Sequence, residues 1–174
     1  MFNKKLIYIV GIILFTLVGC SNNDNITLSE HEKKAIDYLK SNNYIIVSHL
    51  ESSYEYVLNK EMITMNPYNR IWAVQYTEPD LYFNKLISIY SFIVENHPLV
   101  EVLLAMGIDY DNYDVQVNVF ISEEEAIGGT SNLIPKDNSL LFGGAYSIDG
   151  KTLEEVTGLT YDQWTEAWRK KYGH

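Results

Sequence analysis

The pattern of apolar and polar positions divides the chain into three parts. Leu6 to Val18 is apolar except for Gly11 and Thr16, and Lys4-Lys5 precedes it. Ser21 to Thr27 is polar and rich in asparagine, a short flexible tether in composition. From Ser29 onward the pattern becomes periodic. Ser29-Glu30-His31-Glu32 is a capping-box signature, and Ala35, Ile36 and Leu39 form an apolar stripe behind it, so a helix to about Ser41 is expected. Tyr44 to Leu50 then alternates with period two. Glu51-Ser52 reads as a turn and Ser53 to Leu58 as a returning strand. Ile71 to Tyr76 reads as a third strand.

Leu81 to Val94 fits two periods. Its density of β-branched and aromatic residues favours a strand over Lys85 to Glu95. Pro98 to Met106 reads as a short helix, with proline at its first position and Gly107 past its end. It is apolar nearly all round, which asks for burial or an interface. Tyr113 to Ser122 is the clearest strand, with Val115, Val117, Val119 and Ile121 on one face. Ala126 to Leu133 and Ser139 to Ile148 follow as strands. Their pairs Gly128-Gly129 and Gly143-Gly144 mark bulges or close backbone approach, and neither has the form of a phosphate loop. Thr152 to Val156 is a brief helix. A second capping box, Thr160 to Gln163, opens a closing helix with Tyr161, Trp164, Trp168 and Tyr172 on one stripe, read as core packing. The sum is α+β: an N-terminal helix, an antiparallel meander of five to six strands, and a C-terminal helix.

The head has its own logic. Leu6 to Val18 is shorter than the roughly 20 residues a membrane-spanning helix needs. A positive start, a short apolar run and a small residue at Gly19 are the parts of a signal peptide. Leu17-Val18-Gly19-Cys20 resembles a bacterial lipobox, and Cys20 is the only cysteine. That resemblance implies cleavage after Gly19, a diacylglycerol on the Cys20 sulfur, and a cell-membrane anchor facing outward. It divides the chain into a signal peptide (1–19), a lipidated tether (20–28) and one extracytoplasmic domain (29–174). The domain itself resembles small lipoproteins of Firmicutes, through Asn96-His97-Pro98-Leu99, Ile127-Gly128-Gly129 and the aromatic closing helix. Its order of elements resembles PepSY and cystatin-like shapes. No active-site residue comes with either resemblance.

Charge narrows the partners. The chain carries 13 Lys+Arg and 23 Asp+Glu. Loss of Lys4 and Lys5 with the head leaves 11 against 23, a net charge near −12. Such a surface repels phosphate backbones and anionic headgroups, which excludes nucleic acid and suits cationic partners.

Chemistry is sparse. His31, His49, His97 and His174 show no metal-ligand spacing, and no nucleophile elbow or His-Glu-x-x-His is present. Nothing calls for a cofactor. The one candidate metal site is Asp109, Asp111 and Asp114, with oxygen donors at near-alternate positions. Asp114 stands where an EF-hand requires glycine, and Phe120 where it requires glutamate, so a solvated loop fits better. The expected function is a membrane-anchored lipoprotein whose domain binds an envelope protein or peptide without catalysis. Two alternatives stay open: a cell-envelope hydrolase with an unrecognised site, marked by His49 or His97 beside a carboxylate in a pocket, and a solute or cation binder.

Overall fold

The computed structural model describes residues 28–137, 139 and 144–173, apart from the side chains of Ser52 and Ser53. The apolar head and Cys20 lie outside them. The architecture is α+β, as the periodicity predicts. A five-stranded antiparallel meander runs β1 (Ile45–Val57), β2 (Leu86–Glu95), β3 (Tyr113–Ser122), β4 (Glu125–Pro135) and β5 (Tyr146–Ser147), in spatial order β1-β2-β3-β4-β5. Five helices accompany it: α1 (Glu30–Ser41), α2 (Tyr68–Ala73), α3 (Leu99–Ala105), α4 (Leu153–Thr157) and α5 (Tyr161–Tyr172). No helix among the described residues is long and apolar enough to cross a membrane.

The two faces of the sheet carry separate cores. Phe92, Val94, Val115, Val117, Val119 and Leu133 pack with Ala35 and Leu39 of α1 and with Leu99 and Leu103 of α3. On the other face Ile87, Phe120 and Tyr56 pack with Trp72 of α2 and Tyr172 of α5. Full burial of each large side chain contributes about 1.5–3 kcal/mol relative to exposure. The second face is apolar only at that end. Toward the other end it bears a polar ladder, in which Asn118 Oδ1 accepts from Ser91 Oγ at 2.7 Å and from Gln116 Nε2 at 2.8 Å, while Asn118 Nδ2 donates to Thr130 Oγ1 at 3.1 Å. The valine alternation of β3 is thus real, but its even-numbered partners are not simply wet.

The two expected capping boxes close, at Ser29/Glu32 and Thr160/Gln163, and a third, unforeseen, closes at Thr152/Glu155. The glycine pair of β4 is a bulge. Phe120 pairs with Gly128 and Ile121 with Ala126, leaving Ile127 as the extra residue. Gly128 has φ +138°, and a Cβ on Gly129 would fall 2.1 Å from the carbonyl oxygen of Asn118.

Three expectations are corrected. Glu51-Ser52 is not a turn, because β1 is one continuous strand. Leu50 pairs with Ser91 and Tyr54 with Ile89, four steps on β1 against two on β2, so the polar residues are extra length absorbed as a bulge along one partner. A second irregularity, between Ile46 and Ser48, leaves Val47 without a register partner. Ile71 to Tyr76 is not a strand. The turn after Pro67 is helical, with Ile71 N–H donating to Pro67 O at 3.1 Å, and Trp72, Ala73 and Val74 are buried consecutively rather than alternately. In the last expected strand, Ser139 to Ile148, only Tyr146 and Ser147 pair, and residues 138 and 140–143 lie outside the described part.

Candidate functional site

The segment from β2 to β3 builds a broad cleft. β2 ends at Glu95, and Asn96, at φ 60°, reverses the chain. His97 then locks the turn. Leu99 N–H donates to His97 Nδ1 at 3.1 Å, so Nδ1 is the acceptor, Nε2 carries the proton, and Ile148 O accepts it at 3.0 Å. Burial holds the imidazole below its usual pKa, against the opposing pull of the Ile148 carbonyl and the Asp149 charge. The result is a neutral, fully bonded ring.

With its N-terminus fixed in this way, α3 sends Leu99 and Leu103 into the core, four residues apart on one face. Val100 and Leu104, the next pair at the same spacing, line the cleft. Val102 and Met106 remain outside; Met106 is 68% exposed. Helix α3 is therefore half core and half surface, which is how a helix apolar all round meets its expectation of burial or interface. Gly107, at φ +71°, ends it. Asp109 next caps a single 3₁₀ turn, Tyr110–Asn112, accepting from the Asp111 N–H at 3.2 Å and from Asn112 Nδ2 at 3.3 Å. That turn sets Tyr110 and Asp111 on the cleft wall. The opposite walls come from the bulge residue Val47, from Ile93 of β2, and from Lys136, whose N–H bonds Asn112 O at 2.9 Å.

The cleft measures about 520 Å³, within the range of ligand-binding clefts. Its apolar lining is unusually open to water: Val47 and Leu104 are each 55% exposed and Tyr110 is 45% exposed. Its rim is acidic. Glu95, Asp111 and Asp114 border it with one cation, Lys136, which lies 3.5 Å from Asp114. Among the described residues, the carboxylates of Glu95 and Asp111 have no bonded partner.

The three aspartates singled out in the sequence are thus parted by role. Asp109 turns its carboxylate on its own turn, and Asp111 and Asp114 face the cleft. Among the described residues no three metal-ligating side chains are gathered. The histidines are also parted. His49 has a carboxylate, with Nδ1 2.7 Å from Glu32 Oε1 and its ring stacked on Phe92, but it lines none of the clefts described here. His97 borders a small hollow beside Pro98, but both its nitrogens are taken. His174 lies outside the described residues.

A second cleft, about 370 Å³, separates residues 72–79 from α5 and is lined by Trp72, Tyr76, Trp164, Trp168 and Lys171 among others. Most of the charged and aromatic groups in and beside it are engaged, although Thr77 Oγ1, buried in its lining, has no hydrogen-bond partner among the described residues. Trp168 Nε1 donates to Ile63 O at 2.8 Å, and Tyr172 donates to Asp80 at 2.5 Å and to Glu78 at 3.1 Å. Lys171 pairs with Glu78 at 2.7 Å, and Tyr76 donates to Asp149 at 2.7 Å. The aromatic stripe of α5 is packing at Trp164 and Tyr172, as expected, while Tyr161 is exposed.

Sequence reasoning found two of the cleft's carboxylates but missed Val47, Ile93, Leu104, Tyr110 and Lys136. The all-round apolar α3 was the signal that pointed to them. No family model, curated protein or solved structure matches the chain.

Proposed function

We propose that the protein is a lipid-anchored, extracytoplasmic binding module. Cys20 carries the anchor, and the cleft beside α3 receives a protein or peptide partner. One observation carries the binding half: exposed large apolar side chains meet carboxylates without bonded partners among the described residues there, in one cleft. Exposed apolar patches with a polar rim mark interaction sites. The lipobox-like Leu17-Val18-Gly19-Cys20 supports the anchoring half.

Each half has its own test. Metabolic labelling with an alkyne fatty acid should mark the wild-type chain, and Cys20→Ala should lose both the label and the membrane fraction. An unlabelled wild type rules out the anchor. A photo-crosslinking amino acid at position 104, in intact cells of the source organism, should trap one discrete partner. The same residue at Lys60, exposed and not part of the cleft lining, should trap none. Equal trapping at both positions rules out the cleft as the binding surface.

A further inference from the structure

We infer that the occupant of the α3 cleft is a cationic segment of another protein: lysines or arginines flanking two or three large apolar side chains. This rests on the binding reading above and adds the chemistry of the partner. Val47, Leu104 and Tyr110 supply exposed apolar surface to bury. Glu95, Asp111 and Asp114 supply a negative rim whose only facing cation among the described residues is Lys136. Apolar anchoring with an opposite-charge rim is the arrangement that gives affinity through the centre, and rate and selectivity through the edge.

Charge also decides against the other occupants. Anionic lipid or nucleic acid would meet three carboxylates and a chain of net charge −10. A second copy, docking through a two-fold axis, would bring the same acidic rim against itself. A neutral apolar ligand would leave Glu95 and Asp111 beside a newly dried surface without a counter-charge, which is costly.

The test uses the mature lipidated chain, beginning at Cys20, in phosphatidylcholine nanodiscs, with empty discs subtracted. The probe is a fluorescent, acetylated seven-residue peptide alternating lysine with leucine and phenylalanine; its twin carries glutamate at every lysine. Anisotropy titration should show saturable binding of the lysine peptide, at least about tenfold tighter than the twin, a gap of ~1.4 kcal/mol. Leu104→Asp should weaken it about tenfold or more. Asp111→Asn with Asp114→Asn should weaken it about three- to tenfold and flatten its dependence on salt. Lys136→Glu should tighten it about two- to threefold, an outcome that a misfolded variant does not give. Equal binding of the two peptides overturns the inference. So does binding that Leu104→Asp leaves unchanged, and so does sedimentation showing a dimer that Leu104→Asp dissolves. A discrete partner trapped at position 104 through an acidic or uncharged segment overturns this inference while the binding-module reading stands. Loss of both crosslink and peptide binding removes both.

Discussion

The two clefts are made from the same kinds of residue and use them in opposite ways. Around α5, tyrosines, lysines and carboxylates meet one another. Tyr172, Lys171, Glu78 and Asp80 close one knot, and Tyr76, Ser147, Lys151 and Asp149 close a second. Around α3, Tyr110, Glu95 and Asp111 line a cleft with no such knots, beside apolar side chains half open to water. Abundant tyrosine and acid are therefore not themselves a sign of a site. Whether those groups find partners inside the chain separates structure from function, and that depends on contacts nearly a hundred residues apart in sequence.

Stability should break along this line. Tyr172 is 2% exposed, packs edge-on against Trp168 at 4.6 Å, and donates to two carboxylates. Tyr172→Ala opens a cavity and removes the hydrogen bond to Asp80, so a loss of about 3–5 kcal/mol in urea unfolding is expected. Tyr172→Phe keeps the packing and should lose only about 1–2 kcal/mol. A loss under ~1 kcal/mol for the alanine variant would mean that α5 is merely apposed to the fold.

Gln75 is next. Its amide accepts from Gly129 N–H at 2.9 Å and donates to Gly129 O at 2.9 Å, standing in for the strand that β5 is too short to provide. Gln75→Ala leaves two backbone groups of β4 without partners, and about 2–3 kcal/mol should go. Hydrogen exchange would localise the effect, with faster exchange of the Gly129 amide and little change in β2. Glu at the same position keeps the acceptor but loses the donor, and should fall between wild type and alanine.

Leu104→Asp gives the contrast. A leucine replaced by aspartate in a core would be ruinous. Here the side chain is already more than half in water, and the change should move stability by less than ~0.5 kcal/mol. Thermal melts of Leu104→Asp and Leu103→Asp side by side make the comparison sharp, since Leu103 is 3% exposed and belongs to the core. If both variants melt alike, α3 is not divided between core and cleft.

Legibility in the sequence followed the range of the interactions. β3 and the helices at both ends were readable because their signals, alternation and capping boxes, are local. β1 was misread because the decision between hairpin and bulge lies with β2, some forty residues away, which pairs with both flanks of Glu51. The Ile71 to Tyr76 segment was misread because Trp72 and Val74 suit either period, and helix was settled by packing on Phe120 and Tyr82. The turn between β3 and β4 carries no glycine or asparagine. Glu123 and Glu124 both take positive φ, at 49° and 68°, and each is met by a lysine, Lys85 at 2.7 Å and Lys34 at 3.4 Å. The acidic cluster at that end of β3 is thus a turn tied to its neighbours. At the opposite end, Asp111 and Asp114 face an open cleft, and nothing in the run of acidic residues tells the two cases apart.

The smallest expected effect is on pH dependence, and it too should belong to the closed region. Burial pushes the Asp80 carboxyl up, but the Tyr172 hydroxyl, its own backbone and Lys171 together outweigh this and hold it below the usual range. Asp149 behaves alike, burial being outweighed by Ser147, Tyr76 and Lys151. A carboxyl depressed in the folded state favours folding wherever it is ionised in the unfolded chain as well, above its ordinary value near 3.8. That contribution fades as pH falls through the lowered folded values. Urea midpoints should therefore be flat with respect to these two groups from about pH 7 to 5 and decline below about pH 4. Asp80 is exposed and Asp149 about one-third exposed, 34%, so solvent screening keeps the effect modest. Asp80→Asn should be less stable than wild type at neutral pH and converge with it in acid, because protonation removes the same interactions that the substitution does. Parallel curves, with no convergence, would show that the ionised Asp80 contributes nothing and that the knot is held by the aromatic packing of Tyr172 alone.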